Sequence, residues 1–300
     1  MTSPYVAVDL STLAPPQIVE PLDFEGILSA MIADLQARDP SFTALLESDP
    51  AYKVLEVCAY REVLMRQRVN DASAALLLAC ASGSDLDQIA ANYDVQRLVV
   101  TPADPTTIPP TLAVLESDAS LRARVQASPQ GYSCAGPAAA YAWYARAASG
   151  DVRDVGVSTP DGGQVLVSVL SQTGNGTAPA TTLAAVRATL SADNVRPLCD
   201  TVTVQSATVT NYSVNALLTI YPGVDAATVI LAAQAAVQSY TCSTWAMNRA
   251  PTVALLLGTL AVAGVANVSL LAPGITADIA ASPTTAAYCT GITIATQVSA

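Results

Sequence analysis

From Tyr60 to Arg97 the chain reads YREVLMRQRVNDASAALLLACASGSDLDQIAANYDVQR, and this stretch limits the fold more than any other. It opens in a charged helical pattern, passes into an Ala- and Leu-rich one, breaks at Gly83 and restarts at Ser84-Asp85-Leu86-Asp87. Alanines let two helix backbones approach closely, so the expected product is a helix packed on several sides. Ser48-Asp49-Pro50 opens that helix with proline in its first turn. The pattern predicts that it runs on to about Ala81, roughly 45 Å at ~1.5 Å per residue. Gly83 ends it, and Ser84 or Asp85 caps a short helix from Leu86 to Asn92.

Within the long helix, Val54, Val57, Leu64 and Met65 lie among Glu56, Arg61, Glu62, Arg66 and Arg68. Glu62 and Arg66 stand at i,i+4 in the stabilising order. Arg61, Arg66 and Arg68 are either solvated helix charge or partners for another helix or subunit. The chain's twelve arginines against one lysine suit the second reading, because the guanidinium fork pairs bidentately where an ammonium does not.

The remainder sets the class as α+β, an N-terminal helical region followed by tandem small αβ modules with mixed or antiparallel sheets. Residues 1–22 carry four prolines and read as an extended arm. A helix is expected from Asp23 to about Arg38, and residues 23–98 form a helical domain. Val99 to Pro110, with Pro102, Pro105, Pro109 and Pro110, reads as an extended linker and the clearest boundary, so residues 99–135 are taken as linker plus a short helix at Asp118–Gln126. After a helix at Ala138–Ser149, strands are expected near 152–158, 165–170, 201–207, 213–221, 265–271 and 291–296. Helices are expected near 179–190, 226–240 and 252–262, and Asp161-Gly162-Gly163 is a hairpin turn. The modules are placed at 136–210 and 211–300.

Two internal echoes accompany this alternation. The helix and strand around Val152-Asp154-Val155-Val157-Pro160 match those around Val265-Asn267-Val268-Leu270-Pro273 in spacing. The strand, Gly-containing turn and Ala-rich helix of Val167–Leu190 match those of Leu217–Val237. Tandem related αββ-type modules explain both. So does chance in so Ala- and Val-rich a chain.

Charge narrows the function. Thirteen basic against twenty-four acidic residues leave −11, which disfavours a nucleic-acid groove. From Thr201 to Ala300 the charged residues are Asp225, Arg249 and Asp278. A free domain usually coats itself with far more. Either Ser, Thr, Asn and Gln make that surface, or neighbouring subunits cover it.

Catalytic arrangements are scarce. The chain has no histidine, so Ser-His-Asp and Cys-His nucleophiles are excluded. Its six cysteines form no CxxC and read as small buried hydrophobes in a reducing compartment. Asp85-x-Asp87 suggests metal or carboxylate chemistry, against which stands the ordinary role of carboxylates at a helix N-terminus. No phosphate loop is present. The N-terminus lacks a signal-peptide pattern. Val253 to Leu271 is apolar and long enough to span a membrane, but Gly258, Gly264 and Pro273 punctuate it and no basic or aromatic flank accompanies it. A short buried helix followed by a buried strand is the expected structure.

Three blocks carry a family likeness. The first is Ala59-Tyr60-Arg61-Glu62 with Arg66, Arg68 and Asn70. The second is Gly83, Asp85-Leu86-Asp87, Ala90, Tyr93 and Arg97. The third is Glu116-Ser117-Asp118, Arg122 and Arg124, followed by Ala135-Gly136, Tyr141, the Val152 to Pro160 strand and Val195 to Pro197. In order and spacing they resemble the baseplate J-like proteins of contractile-tailed phages over nearly the whole chain. The resemblance implies a structural wedge subunit in the virion tail baseplate, assembled in the host cytoplasm. Such members join a partner wedge protein through N-terminal helices, commonly as two copies, and neighbouring wedges through C-terminal αβ domains. The implied surroundings are further copies of itself, a central hub and the tail sheath region. The ring rearranges when the sheath contracts, and the 99–110 linker is expected to act as its hinge. No enzyme activity, catalytic residue, cofactor or metal is implied, nor nucleic acid or membrane insertion. The candidate partner-facing residues are Arg61, Glu62, Arg66, Arg68, Asp85 and Asp87. The alternatives are a related non-phage contractile injection device and a membrane-anchored protein using 253–271.

Overall fold

The Asp23 carboxylate accepts the Gly26 amide at 3.1 Å and starts the first helix, α1 (Phe24–Arg38). The computed structural model describes residues 8–13, 22–42, 45–133 and 135–299. The expected arm at 1–22 therefore falls largely outside the described residues. By its internal contacts the chain divides into a helical unit, Val6–Gln96 with Asp118–Val125, and an αβ unit holding Arg97–Ser117 and Gln126–Ala300.

In the helical unit, α2 (Pro50–Ala75) packs on α1 through Ala59, with Tyr52, Leu55 and Val63 around it, against Ile27, Leu28, Met31 and Ile32. The 3-4 spacing of those α2 residues puts them on one face. The helix stops at Ala75, short of the expected Ala81. Beyond it the Leu76, Leu77 and Cys80 amides bond carbonyls three residues back, and the chain turns. The Leu78 and Ala81 carbonyls are taken instead by the Arg122 guanidinium, at 2.7 Å each. The Ala- and Leu-rich run is thus held in a turn by a side chain from far along the sequence, which local propensity does not register. Nor is α2 packed on several sides within the chain, since its buried residues are Ala59 and Asn70.

The next helix, α3 (Gly83–Ala91), starts before the expected Leu86. Gly83 has φ +54, a conformation that favours glycine, and its amide donates to Asp118 rather than to Ser84 or Asp85. Leu86 and Ala90 bury its inner face.

Residues 99–115 are not an extended linker. Strands β1 (Val99–Thr101) and β2 (Val114–Leu115) pair antiparallel, and Asp104 bridges Thr111. The prolines fall in and beside the tip, where proline's missing amide costs no ladder bond. The Asp104 carboxylate accepts both the amide and the hydroxyl of Thr106, which also holds its pKa below the usual value. The hairpin belongs to the αβ unit. The chain passes between units at 96/97, at 117/118 and, within α4 (Asp118–Ala127), at 125/126.

The αβ unit contains two three-stranded sheets. In the first, β4 (Gln164–Ser171) is central, with β3 (Val152–Ser158) antiparallel and β5 (Thr201–Ser206) parallel to it. Helices α5 (Ala138–Ala147) and α6 (Ala180–Leu190) supply Tyr141, Ala145, Val186 and Leu190 to a core with Val155, Val167, Val169 and Val204. In the second, β6 (Thr208–Ile220) is central, with β7 (Val265–Leu270) antiparallel and β8 (Thr285–Val298) parallel. Helices α7 (Ala226–Thr244) and α8 (Val253–Leu260) place Val229, Ala233, Val237, Leu256 and Leu260 against Val214, Ala216, Leu218 and Ile220. The class is α+β, as the alternation of patterns predicts.

The two echoes occupy matching places. α5–β3 and α8–β7 each provide a helix and the antiparallel edge, while β4–α6 and β6–α7 each provide the central strand and its following helix. Their chain order is exchanged, however: helix and antiparallel edge strand precede the central strand and its helix in one module and follow them in the other. The pair is a rearranged likeness, not the tandem αββ repeat the spacing suggests.

Strand β6 begins at Thr208 and β8 at Thr285, both upstream of their expected starts, so the second sheet takes up residues before the expected boundary at 211. The apolar run becomes α8 and then β7, an edge strand that is half-exposed rather than buried. Among the described residues no helix is long and apolar enough to cross a membrane. The cysteines depart from expectation too. Among the described residues Cys58, Cys80, Cys199 and Cys242 are exposed thiols and Cys289 is half-buried, with Cys80 and Cys199 in turns between elements, while Cys134 lies outside the described residues.

Candidate assembly interface

Helix α2 presents its second face to solvent. Val54, Val57, Arg61, Leu64 and Arg68 recur at spacings of three and four, a coiled-coil seam by pattern. Val57 is 61% and Met65 68% exposed, in a helix whose opposite face is packed on α1. Of the six candidate residues, Arg61 and Arg68 stand on this stripe, both exposed and one heptad apart. Glu62 and Arg66 lie off the stripe, half-buried toward the side of α2 that packs on α1, and bond each other, Arg66 donating through Nε at 3.1 Å and Nη2 at 2.6 Å. Asp85 is exposed in the first turn of α3 and Asp87 is half-buried on the same helix. The structure therefore splits the candidate set between two helices.

Arg97 of the second sequence block and Glu116, Asp118, Arg122 and Arg124 of the third are backbone clamps. In the helical unit Asp118 accepts from the Gly83 amide, Arg122 caps the Leu78 and Ala81 carbonyls, and Arg124, itself buried, donates to the Gln96 carbonyl at 3.1 Å. In the αβ unit the buried Glu116 accepts from the Leu98 amide, while Arg97 donates to the Glu116 carbonyl at 2.6 Å. Buried irregular backbone needs such partners. Spacing alone does not reveal which carbonyls need capping.

A second built region joins the two sheets of the αβ unit, and nothing in the sequence announces it. Arg153 on β3 donates to the Trp245 carbonyl at 2.9 Å and the Cys242 carbonyl at 3.1 Å, with its guanidinium over the Trp245 ring. Asp154, paired with Arg146, accepts the Met247 amide at 2.8 Å. A Cβ on Gly156 would stand 1.8 Å from the Pro283 carbonyl oxygen, so only glycine admits this approach. Leu170, Ala207, Met247 and Ala286 close a small core between the sheets. Beside it opens a cleft of about 620 Å3 lined mainly by Pro137, Ala142, Trp143, Val155, Val157 and Met247. Arg146 is the charged residue in its wall, and that charge is already paired with Asp154. Among the described residues no group of acidic or cysteine side chains is placed to hold a metal ion.

The last hundred residues place their charge at helix ends. Asp225 accepts from the amide and hydroxyl of Thr228 at the start of α7, at 2.9 and 2.6 Å, and these bonds hold its pKa below the usual carboxylate value. Asp278 accepts the Val253 amide at the start of α8, and Arg249 reaches the Ser243 carbonyl near the end of α7. The open face of the second sheet, around Asn215, Leu217, Thr219, Thr293, Ala295 and Gln297, is left without charge.

The family model of the Baseplate J-like N-terminal domain matches residues 47–104, and that of the Baseplate J-like central domain matches residues 133–206. Baseplate protein J of Escherichia phage P2 is 43% identical over 296 residues, covering 96% of this chain and 97% of the relative. The chain belongs to the baseplate J-like family. As a baseplate J-like protein it is a structural subunit of the virion tail baseplate. The N-terminal match covers α2 and α3, the elements that carry the exposed stripe and the candidate residues. The central match takes in α5 through β5, the first sheet with its helices. The second sheet lies beyond both matched segments but within the reach of the phage P2 relative.

Proposed function

We propose that this chain is a wedge subunit of a contractile-tail baseplate. It joins a partner wedge protein through its N-terminal helices and neighbouring wedges through its C-terminal αβ modules, and it relays the rearrangement that triggers sheath contraction. The observation that carries the reading is the solvent-exposed apolar stripe of α2, interrupted by Arg61 and Arg68. A helix with two apolar faces, one filled by α1, is built for a third helix. An arginine on such a seam offsets its desolvation only against a carboxylate on the partner, which gives the contact register as well as affinity. Asp85 and Asp87 stay in the proposed contact set as negative groups near the same partner. The charge-poor second module supports the lateral contact, since interface cores are depleted of charge. The hub and sheath region are its proposed surroundings in the tail.

The relay is proposed to act at the chain crossings 96/97, 117/118 and 125/126 instead of in the proline-rich segment, because that segment closes on itself as a hairpin. A related non-phage contractile injection device would use the same surfaces and is the second reading.

Co-expression with the products of adjacent tail genes, followed by mass measurement and electron microscopy, tests the proposal. A stable hetero-complex lost in Arg61→Glu and Arg68→Glu variants, each of which still folds alone, is the expected result. A clean monomer that binds none of those products overturns it.

A further inference from the structure

Strand β8 is the long edge of the second sheet. It pairs with β6 and, among the described residues, with no other strand. After a bulge near Thr290, whose hydroxyl bonds the Tyr212 carbonyl, it runs regularly to Val298. Exposed edges are normally blunted by lysine, proline or inward charge. This one has none of these: Thr285 to Val298 reads TAAYCTGITIATQV.

The sequence of the edge also reads nearly the same in both directions. About Thr293 the residues run Thr-Gly-Ile-Thr-Ile-Ala-Thr. Two such strands laid antiparallel across a two-fold axis at Thr293 set like against like. Thr293 faces itself, Ile292 faces Ile294, Gly291 faces Ala295 and Thr290 faces Thr296. Burial alternates to match: Gly291, Thr293 and Ala295 are exposed, while Ile292 and Ile294 are half-buried beside the core of the second sheet. Such pairing continues that core across the axis through Ile292 and Ile294 of both copies and keeps small residues on the open face. Charge selects the same occupant. Twelve of the thirteen basic and twenty-two of the twenty-four acidic side chains precede Thr201, so copies of this acidic chain meet with least repulsion here.

We infer that β8 pairs antiparallel with β8 of a second copy of this chain, centred on Thr293, to make one continuous sheet across a two-fold axis. The isologous contact is closed, so it joins two copies and does not propagate. It rests on the wedge reading only for the presence of a neighbouring copy, and names the strand through which the copies touch.

Directly opposed residues of an antiparallel pair stand about 4.5–5.5 Å apart at Cα, within disulfide reach. The full chain, with Cys58, Cys80, Cys199 and Cys242 changed to Ser, is oxidised with and without Thr293→Cys, both purified and co-expressed with its tail partners. A covalent dimer specific to Thr293→Cys is expected. Gly291→Cys and Ala295→Cys are expected to cross-link when mixed and not alone, since identical positions then lie about four residues out of register. A Cβ at Gly291 meets open space, so that variant keeps its fold. Thr293→Lys places like charges face to face and is expected to abolish the dimer by light scattering, with recovery on mixing with Thr293→Asp. Cross-linking at 293 no greater than in the parent, or a 293 cross-link to a different protein, overturns the inference. Absent co-assembly with an intact 293 cross-link counts against the wedge reading alone, and co-assembly without that cross-link counts against the strand pairing alone.

Discussion

The guanidinium of Arg153 lies 4.0 Å from the centre of the Trp245 ring while its Nε donates to the Trp245 carbonyl at 2.9 Å. One side chain from the first sheet thus holds both the ring and the backbone of the segment that ends α7. Burial drives the Arg153 pKa down, but an arginine stays charged throughout the accessible range. A charged hydrogen bond is worth about 1.5–3 kcal/mol and a cation–π contact about 0.5–2 kcal/mol. Arg153→Met is expected to lower the unfolding free energy by about 2–4 kcal/mol, read by urea denaturation with Trp fluorescence. Arg153→Lys retains the charge and loses the fork, and is expected to recover less than half of that loss.

Gly156 tests the same junction by sterics. Its Cβ position overlaps the Pro283 carbonyl oxygen, and backbone on both sides leaves little room to yield. Gly156→Ala is expected to cost about 2 kcal/mol or more. The α7–α8 segment should open to protease before the first sheet does, as monitored by limited proteolysis with mass spectrometry.

Arg122 decides where α2 ends. Removing it leaves the Leu78 and Ala81 carbonyls without their charged donor. Arg122→Met is expected to cost about 2–3 kcal/mol. Hydrogen exchange should rise first at residues 76–82, with exchange in β4 unchanged.

Asp225 gives a pH signature. Its folded pKa lies below the ordinary carboxylate value, so its contribution is complete above that ordinary value and is lost as pH falls through the folded one. The difference in melting temperature between the parent and Asp225→Ala should be constant above about pH 5 and shrink as pH falls further. A difference that grows on acidification would contradict the assignment.

The Glu62–Arg66 pair is expected to matter little to the isolated chain. Both side chains are more than a third exposed, and such pairs contribute about 0.3–0.5 kcal/mol. Reversing either charge should leave the melting temperature within about a degree. Under the proposed function each single reversal weakens co-assembly, which a pull-down with the partner wedge protein measures.

Elements whose cause is local were legible from the residues. Asp23 caps α1, Pro50 opens α2, Asp161-Gly162-Gly163 turns β3 into β4, and Val/Ile alternation marks the strands of both sheets. The residues mislead where a distant group supplies the deciding bond. The run from Leu76 to Ala81 favours helix by its own propensity, and Arg122 holds it in a turn. Val99 to Pro110 carries prolines enough for a linker, and Asp104, Thr111 and Glu116 fold it into a hairpin. Of the candidate interface, the apolar residues of α2 among its arginines were legible in the sequence, while the stripe they form opposite α1 was decided by which face α1 covers. The clamps and the Arg153–Trp245 junction had no periodic signal, because each joins residues far apart along the chain.

Residue order alone set the α+β class, the family, the positions of most helices and strands, and the concentration of charge in the first two hundred residues. Those properties depend on short-range spacing and composition, which the chain carries whether or not it is folded. Folding settled which echo became an edge and which a centre, where α2 stopped, and which long strand was left at the edge of its sheet. Those outcomes depend on hydrogen bonds and close contacts between distant residues, and they exist only once the sheets and helices have met.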